Sequence, residues 1–162
     1  MGLAEVSDIL WRERELLDVL LFKLEEEQLL LAAGKVRWLS RATREVELVL
    51  EQIRLTELTR SIEVDAAAAQ LGLEPNPSLG TLADIAPAPW GDLFRAHRAA
   101  FLKLTQEITG LADANREFVT TAYRSARETL LALGGASRLD GYNATGQRIG
   151  NLRQRTMLNE AI

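Results

Sequence analysis

His97 is the only imidazole in the 162-residue chain, and there is no cysteine. The missing thiols remove disulfide frameworks, thiolate metal sites and thiol nucleophiles together. A metal centre or acid–base pair built on His97 would need partners, and none converge on it in the sequence. His97 therefore reads as a hydrogen-bonded core or edge residue on a helix seam. Asn115 lies further along the same seam. A lone amide at such a position fixes register and orientation at some cost in stability, and the other reading is a contact to a bound partner. There is no Walker loop, no dinucleotide glycine fingerprint, no Glu-x-x-His pair for a di-metal bundle and no nucleophile elbow. These residues do not describe an enzyme, and they imply no cofactor.

The elements that hold these residues are helices. Leu3, Leu10, Leu17, Leu24 and Leu31 recur every seventh residue, and Val6, Ile9, Leu16, Leu20, Leu21 and Leu30 widen that line into a broad apolar face. Such spacing keeps one side of a helix against a partner helix. Ala33-Gly34 interrupts the run, and a second line follows through Leu39, Val46 and Ile53, with Leu48, Leu55 and Ile62 shifted round. A short connection containing glycine makes the two helices, about 3–32 and 36–71, antiparallel neighbours. Glu13 and Glu27 fall on or near the leucine line, which suits an imperfect bundle better than a long fibrous coil. Gly72 is a left-handed stop, and Pro75 cannot continue the helix.

Pro75, Pro77, Gly80, Pro87 and Pro89 mark residues 73–88 as a connector. It has room for one short turn of helix capped by Ser78 or Thr81, covering Leu82 and Ile85 and folding across one end of the bundle. A third helix over 89–133, stopped by Gly134-Gly135, would be about 65 Å long. Its inner line is Phe94, His97, Phe101, Leu104, Ile108, Leu111, Asn115, Phe118 and Ala122, drifting to Val119, Tyr123, Ala126, Leu130 and Leu133. Gly110 marks a close approach or a slight bend. The fold class is all-α: an elongated antiparallel three-helix bundle, a hairpin plus a long third helix, over 1–135, with a loosely ordered tail over 136–162.

Nearly half the residues are apolar, so a chain of this length can build one real core. The net charge of −4 is spread among mixed signs, and the arginines of the second helix alternate with glutamates. Neither favours nucleic acid. No apolar run approaches the roughly 20 residues of a bilayer span, and the N-terminus has neither a signal-peptide nor a myristoylation pattern. A soluble cytoplasmic protein is the expectation. In the tail, Arg138, Arg148, Arg153 and Arg155 outnumber the acids, and Ile149, Leu152, Met157 and Leu158 could form one face of a short helix. Alone that helix cannot offset its ordering entropy, so it stays mobile or docks on something.

The leucine-rich hairpin, the proline-broken connector, Asn115 with Phe118-Val119, and the run Tyr142-Asn143-Ala144-Thr145-Gly146-Gln147 together resemble the FlgN-type flagellar export chaperones. The resemblance implies a small cytoplasmic protein that holds the terminal helical segment of the hook-filament junction proteins FlgK and FlgL and delivers them to the export gate. It places gate docking at Tyr142, with Gly146 and Gln147 matching the tail motif; Ile149 and Leu152, which follow no family pattern, join these three from their own apolar spacing as residues for export-gate or client docking. From the residues themselves, a client helix would need an apolar groove, expected around Asn115, Phe118, Val119, Tyr123, Ala126 and Leu130. The alternative is a self-associating coiled-coil adaptor without a secretion client.

Overall fold

The computed structural model describes residues 2–140, the last five by backbone alone. Four helices follow in order: α1 (Gly2–Ala32), α2 (Val36–Gln70), α3 (Leu79–Ile85) and α4 (Trp90–Asp140). No strand occurs among the described residues, so the all-α expectation holds. The chain divides into two compact units, Met1–Phe118 and Val119–Ile162.

In the first unit, α1 and α2 form the expected hairpin. Gly34 turns it at φ +66°, with Lys35 N–H donating to the Leu30 carbonyl at 2.9 Å. Gly72 ends α2 in the same way at φ +68°, with Leu73 N–H donating to Ala68 O at 2.9 Å. Both are left-handed stops that satisfy carbonyls the helix end would otherwise orphan.

Leu20 and Leu24 pack with Val46, Val49 and Ile53 in one core, and Ile108, Leu111 and Ala112 of α4 lie against it. A second core joins Val6, Leu10, Val64, Ala67, Leu82, Ala83 and Phe94, from all four helices. His97 meets Trp11 and Arg14, while Asn115 meets Leu24. Over this unit α4 therefore runs parallel to α1 and antiparallel to α2.

The connector folds over the end of the bundle through α3. Ser78 caps it, its Oγ accepting from Thr81 N–H at 3.1 Å. Leu82 is fully buried, but Ile85, expected to be covered, is half exposed at the last turn before the chain leaves the helix. A Cβ on Gly91 would come within 2.7 Å of the Ala83 carbonyl, so the α3–α4 approach needs glycine there. Around Gly110 there is open space, so the expected close approach is absent.

The glycine stop at 134–135 is also corrected: α4 continues through it to Asp140. Glycine costs a helix only about 1 kcal/mol relative to alanine, and no proline follows to forbid continuation. Residues 136–140, assigned to the tail by sequence, are thus helical, and the remainder of the tail lies outside the described residues.

Candidate functional site

Among the described residues of the first unit, five polar residues are buried, Ser7, Glu13, Thr56, His97 and Asn115, and three of them carry groups that matter most here. Glu13, on the leucine line, accepts from Arg60 Nη1 at 2.9 and 2.8 Å. Burial raises its pKa, offset in part by the Arg60 guanidinium and helped by nearby Glu57. Asn115 is 2% exposed. Its Nδ2 donates to the Leu24 carbonyl at 2.9 Å and approaches Glu27 Oε1 at 3.5 Å. That contact ties one turn of α4 to one turn of α1, the register role.

His97 is fully buried, edge-on to Trp11 at 4.8 Å between ring centroids and stacked on Phe101. Arg14 Nη1 lies 3.5 Å from its Nδ1. With Nδ1 accepting, the ring proton sits on Nε2, which has no hydrogen-bond partner among the described residues. Burial, and then the Arg14 charge, lower the His97 pKa below its ordinary 6.5. As the pH falls below that value the unfolded chain takes up a proton the folded chain refuses, so His97 withdraws stability on acidification. Glu13 acts oppositely, its raised pKa letting the folded chain bind a proton first. The melting temperature of His97→Gln should accordingly fall less than that of the parent between pH 7 and pH 5. Parallel melting curves across that range would remove His97 as the acid-sensitive group.

The apolar positions expected to meet a partner behave differently from Asn115. Phe118, the last residue of the first unit, is 44% exposed. In the second unit every residue from Val119 to Leu133 is exposed, including Tyr123, Ala126 and Leu130. Val119, Tyr123, Ala126, Leu130 and Leu133 recur four and three apart, so they share one face of the helix. Tyr142, Gly146, Gln147, Ile149 and Leu152 lie outside the described residues.

A surface row on α1 was missed by the sequence reading. Trp11, Phe22 and Leu29 are all exposed, and their spacing of eleven and seven residues places them on one side of the helix. Glu15, Asp18 and Glu25 lie among them. That spacing was the available signal, overshadowed by the denser leucine line.

Among the described residues no group of His and carboxylate side chains could hold a metal ion, and no helix is long and apolar enough to cross a membrane. Paired helices with α4 packed against them, and an uncovered apolar line further along α4, define an all-helical bundle protein. The model of the family described as FlgN protein matches residues 1–149, and the chain belongs to the FlgN family, a chaperone family rather than an enzyme family. No curated protein and no solved structure matches it. The matched span includes Tyr142, Gly146, Gln147 and Ile149 and stops short of Leu152.

Proposed function

We propose that this chaperone works in the cytoplasm on the hook-filament junction proteins FlgK and FlgL, seating an amphipathic terminal helix of the client on the exposed line Val119, Tyr123, Ala126 and Leu130, with Phe118 one residue ahead. Covering the client segment prevents premature assembly, and the tail residues Tyr142, Gly146, Gln147, Ile149 and Leu152 serve export-gate or client docking during delivery. The observation that carries this reading is the change in burial along α4: its inner line is buried or half-buried through Asn115, and every residue from Val119 to Leu133 is exposed. An amphipathic client helix supplies an apolar stripe of the same pitch.

Binding of purified FlgK and FlgL C-terminal segments by the full chain tests it. Placing charge under a client helix forfeits about 1.5–3 kcal/mol of burial per large side chain. Val119→Glu, Tyr123→Glu and Leu130→Glu together should therefore weaken binding by at least about 100-fold, while helicity and melting temperature stay near those of the parent. Unchanged affinity for both segments would overturn the assignment.

A self-associating adaptor is the second reading, favoured by the exposed Leu48, Leu55, Leu58 and Ile62 on α2. Light scattering over a range of concentrations separates the two. An adaptor holds its oligomeric size regardless of client, whereas a chaperone changes size when FlgK or FlgL is added.

A further inference from the structure

α2 carries an apolar line on each of two sides. Val46 and Ile53 are buried in the core, and Leu48 and Leu55, two residues beyond each, lie about 200° further round the helix. Leu48, Leu55, Leu58 and Ile62 are 57–68% exposed. Stepped four and three residues at a time, this second line runs back from Leu48 through Arg44, Arg41 and Arg37, all exposed. Arg41 reaches Glu45 at 3.3 Å with 74% of its side chain exposed, and Arg37 lies over the Trp38 ring at 4.8 Å. Among the described residues no carboxylate pairs with Arg37 or Arg44.

We propose that this side of α2 receives an amphipathic helix of another protein, distinct from the client segment. Its carboxylates meet Arg37, Arg41 and Arg44, and its aliphatic side chains meet Leu48, Leu55, Leu58 and Ile62. The four-and-three spacing fits a helix laid alongside, and three cations in line with the leucines require acids opposite them. A second copy of the chain answers one half of the line and not the other. Antiparallel pairing that sets Leu48 against Ile62 leaves Arg41 and Arg44 facing Ala69 and Ala66. Shifting it to bring Arg41 to Asp65 sets Arg44 against Ile62 and Leu55 against Glu51. Parallel pairing stacks arginine on arginine. An anionic bilayer fits the arginines, but Glu47, Glu51 and Glu63, among the leucines, would be repelled by it. The line shares no residue with the client line on α4, so the two assignments fail separately.

Two synthetic helices of about 28 residues, four heptads, test it by fluorescence anisotropy against the full chain. Each carries Glu at three successive line positions and Leu at those matching the four aliphatics, with the acids leading in one peptide and trailing in the other. One of them should bind. Leu55→Glu with Ile62→Glu should weaken that binding at least about 30-fold. Arg41→Glu with Arg44→Glu should weaken it about tenfold, and a peptide with Lys in place of Glu should recover the loss. All four positions are exposed, so helicity and melting temperature should stay at the parent values. Leu55→Glu with Ile62→Glu should also leave binding of the FlgK and FlgL segments unchanged. Four results would each overturn the proposal: neither peptide binding, peptide binding indifferent to both pairs of substitutions, a dimer of the free chain that Leu55→Glu with Ile62→Glu dissociates, or attachment to phosphatidylglycerol vesicles that Arg41→Glu with Arg44→Glu abolishes.

Discussion

Phe94→Ala is expected to lower the free energy of unfolding by about 3–5 kcal/mol. Phe94 is fully buried and belongs to a core drawn from all four helices, with Val6 and Leu10 on α1, Val64 and Ala67 on α2, and Leu82 and Ala83 on α3. Trp90 stacks beside it at 6.3 Å. Removing the ring forfeits its transfer energy and leaves a cavity bounded by backbones already in close approach at Gly91, which limits relaxation. At about 2–4 °C per kcal/mol for a chain of this size, the melting temperature should fall by roughly 6–20 °C. Amide exchange in α3 should accelerate most, because this short helix has the least packing of its own. Leu102→Ala, at an exposed position of the same helix, is the comparison. A loss at Phe94 no larger than at Leu102 would show that this core does not hold α3 and α4 to the hairpin.

Arg60→Ala should be nearly as costly, at about 3 kcal/mol. Removing one partner of a buried ion pair typically costs about 3–5 kcal/mol because the other charge is left without compensation. The lower end applies because a third of the Arg60 side chain reaches solvent, while Glu13 is 5% exposed. One nitrogen, Nη1, donates to both carboxylate oxygens, so the contact lacks the two-nitrogen fork of the strongest arginine pairs. Replacing both residues, Glu13→Leu with Arg60→Leu, should recover most of the loss, since an apolar pair in that space carries no desolvation penalty. A double-mutant cycle by denaturant unfolding measures the coupling. Single and double variants that differ from the parent by less than about 0.5 kcal/mol would mean that water already solvates Glu13.

The hairpin was legible because its signals are local. The seven-residue leucine spacing, the interruption at Gly34 and the stop at Gly72 each act within a few turns of helix, and each has its expected counterpart in the structure. Ser78 as a cap was equally readable. The Gly134-Gly135 stop was misread because propensity only weights a helix end, whereas a left-handed glycine or a proline enforces one. Glu13 could be seen to interrupt the leucine line, but the arginine that answers it comes 47 residues later, and no local pattern selects Arg60 from the other arginines of α2.

By itself the sequence determined that the chain is helical, where its first two helices turn, and which side of each carries the apolar line, because side-chain spacing acts through fixed helical geometry. It also carried the family's motifs, including the tail run at 142–147. Tertiary structure alone decided which parts of those lines are covered. Asn115 and Tyr123 lie eight residues apart on α4, yet one is sealed against Leu24 and the other is 55% exposed. Burial depends on what another helix brings to a position, and that is a property of packing rather than of spacing along one helix.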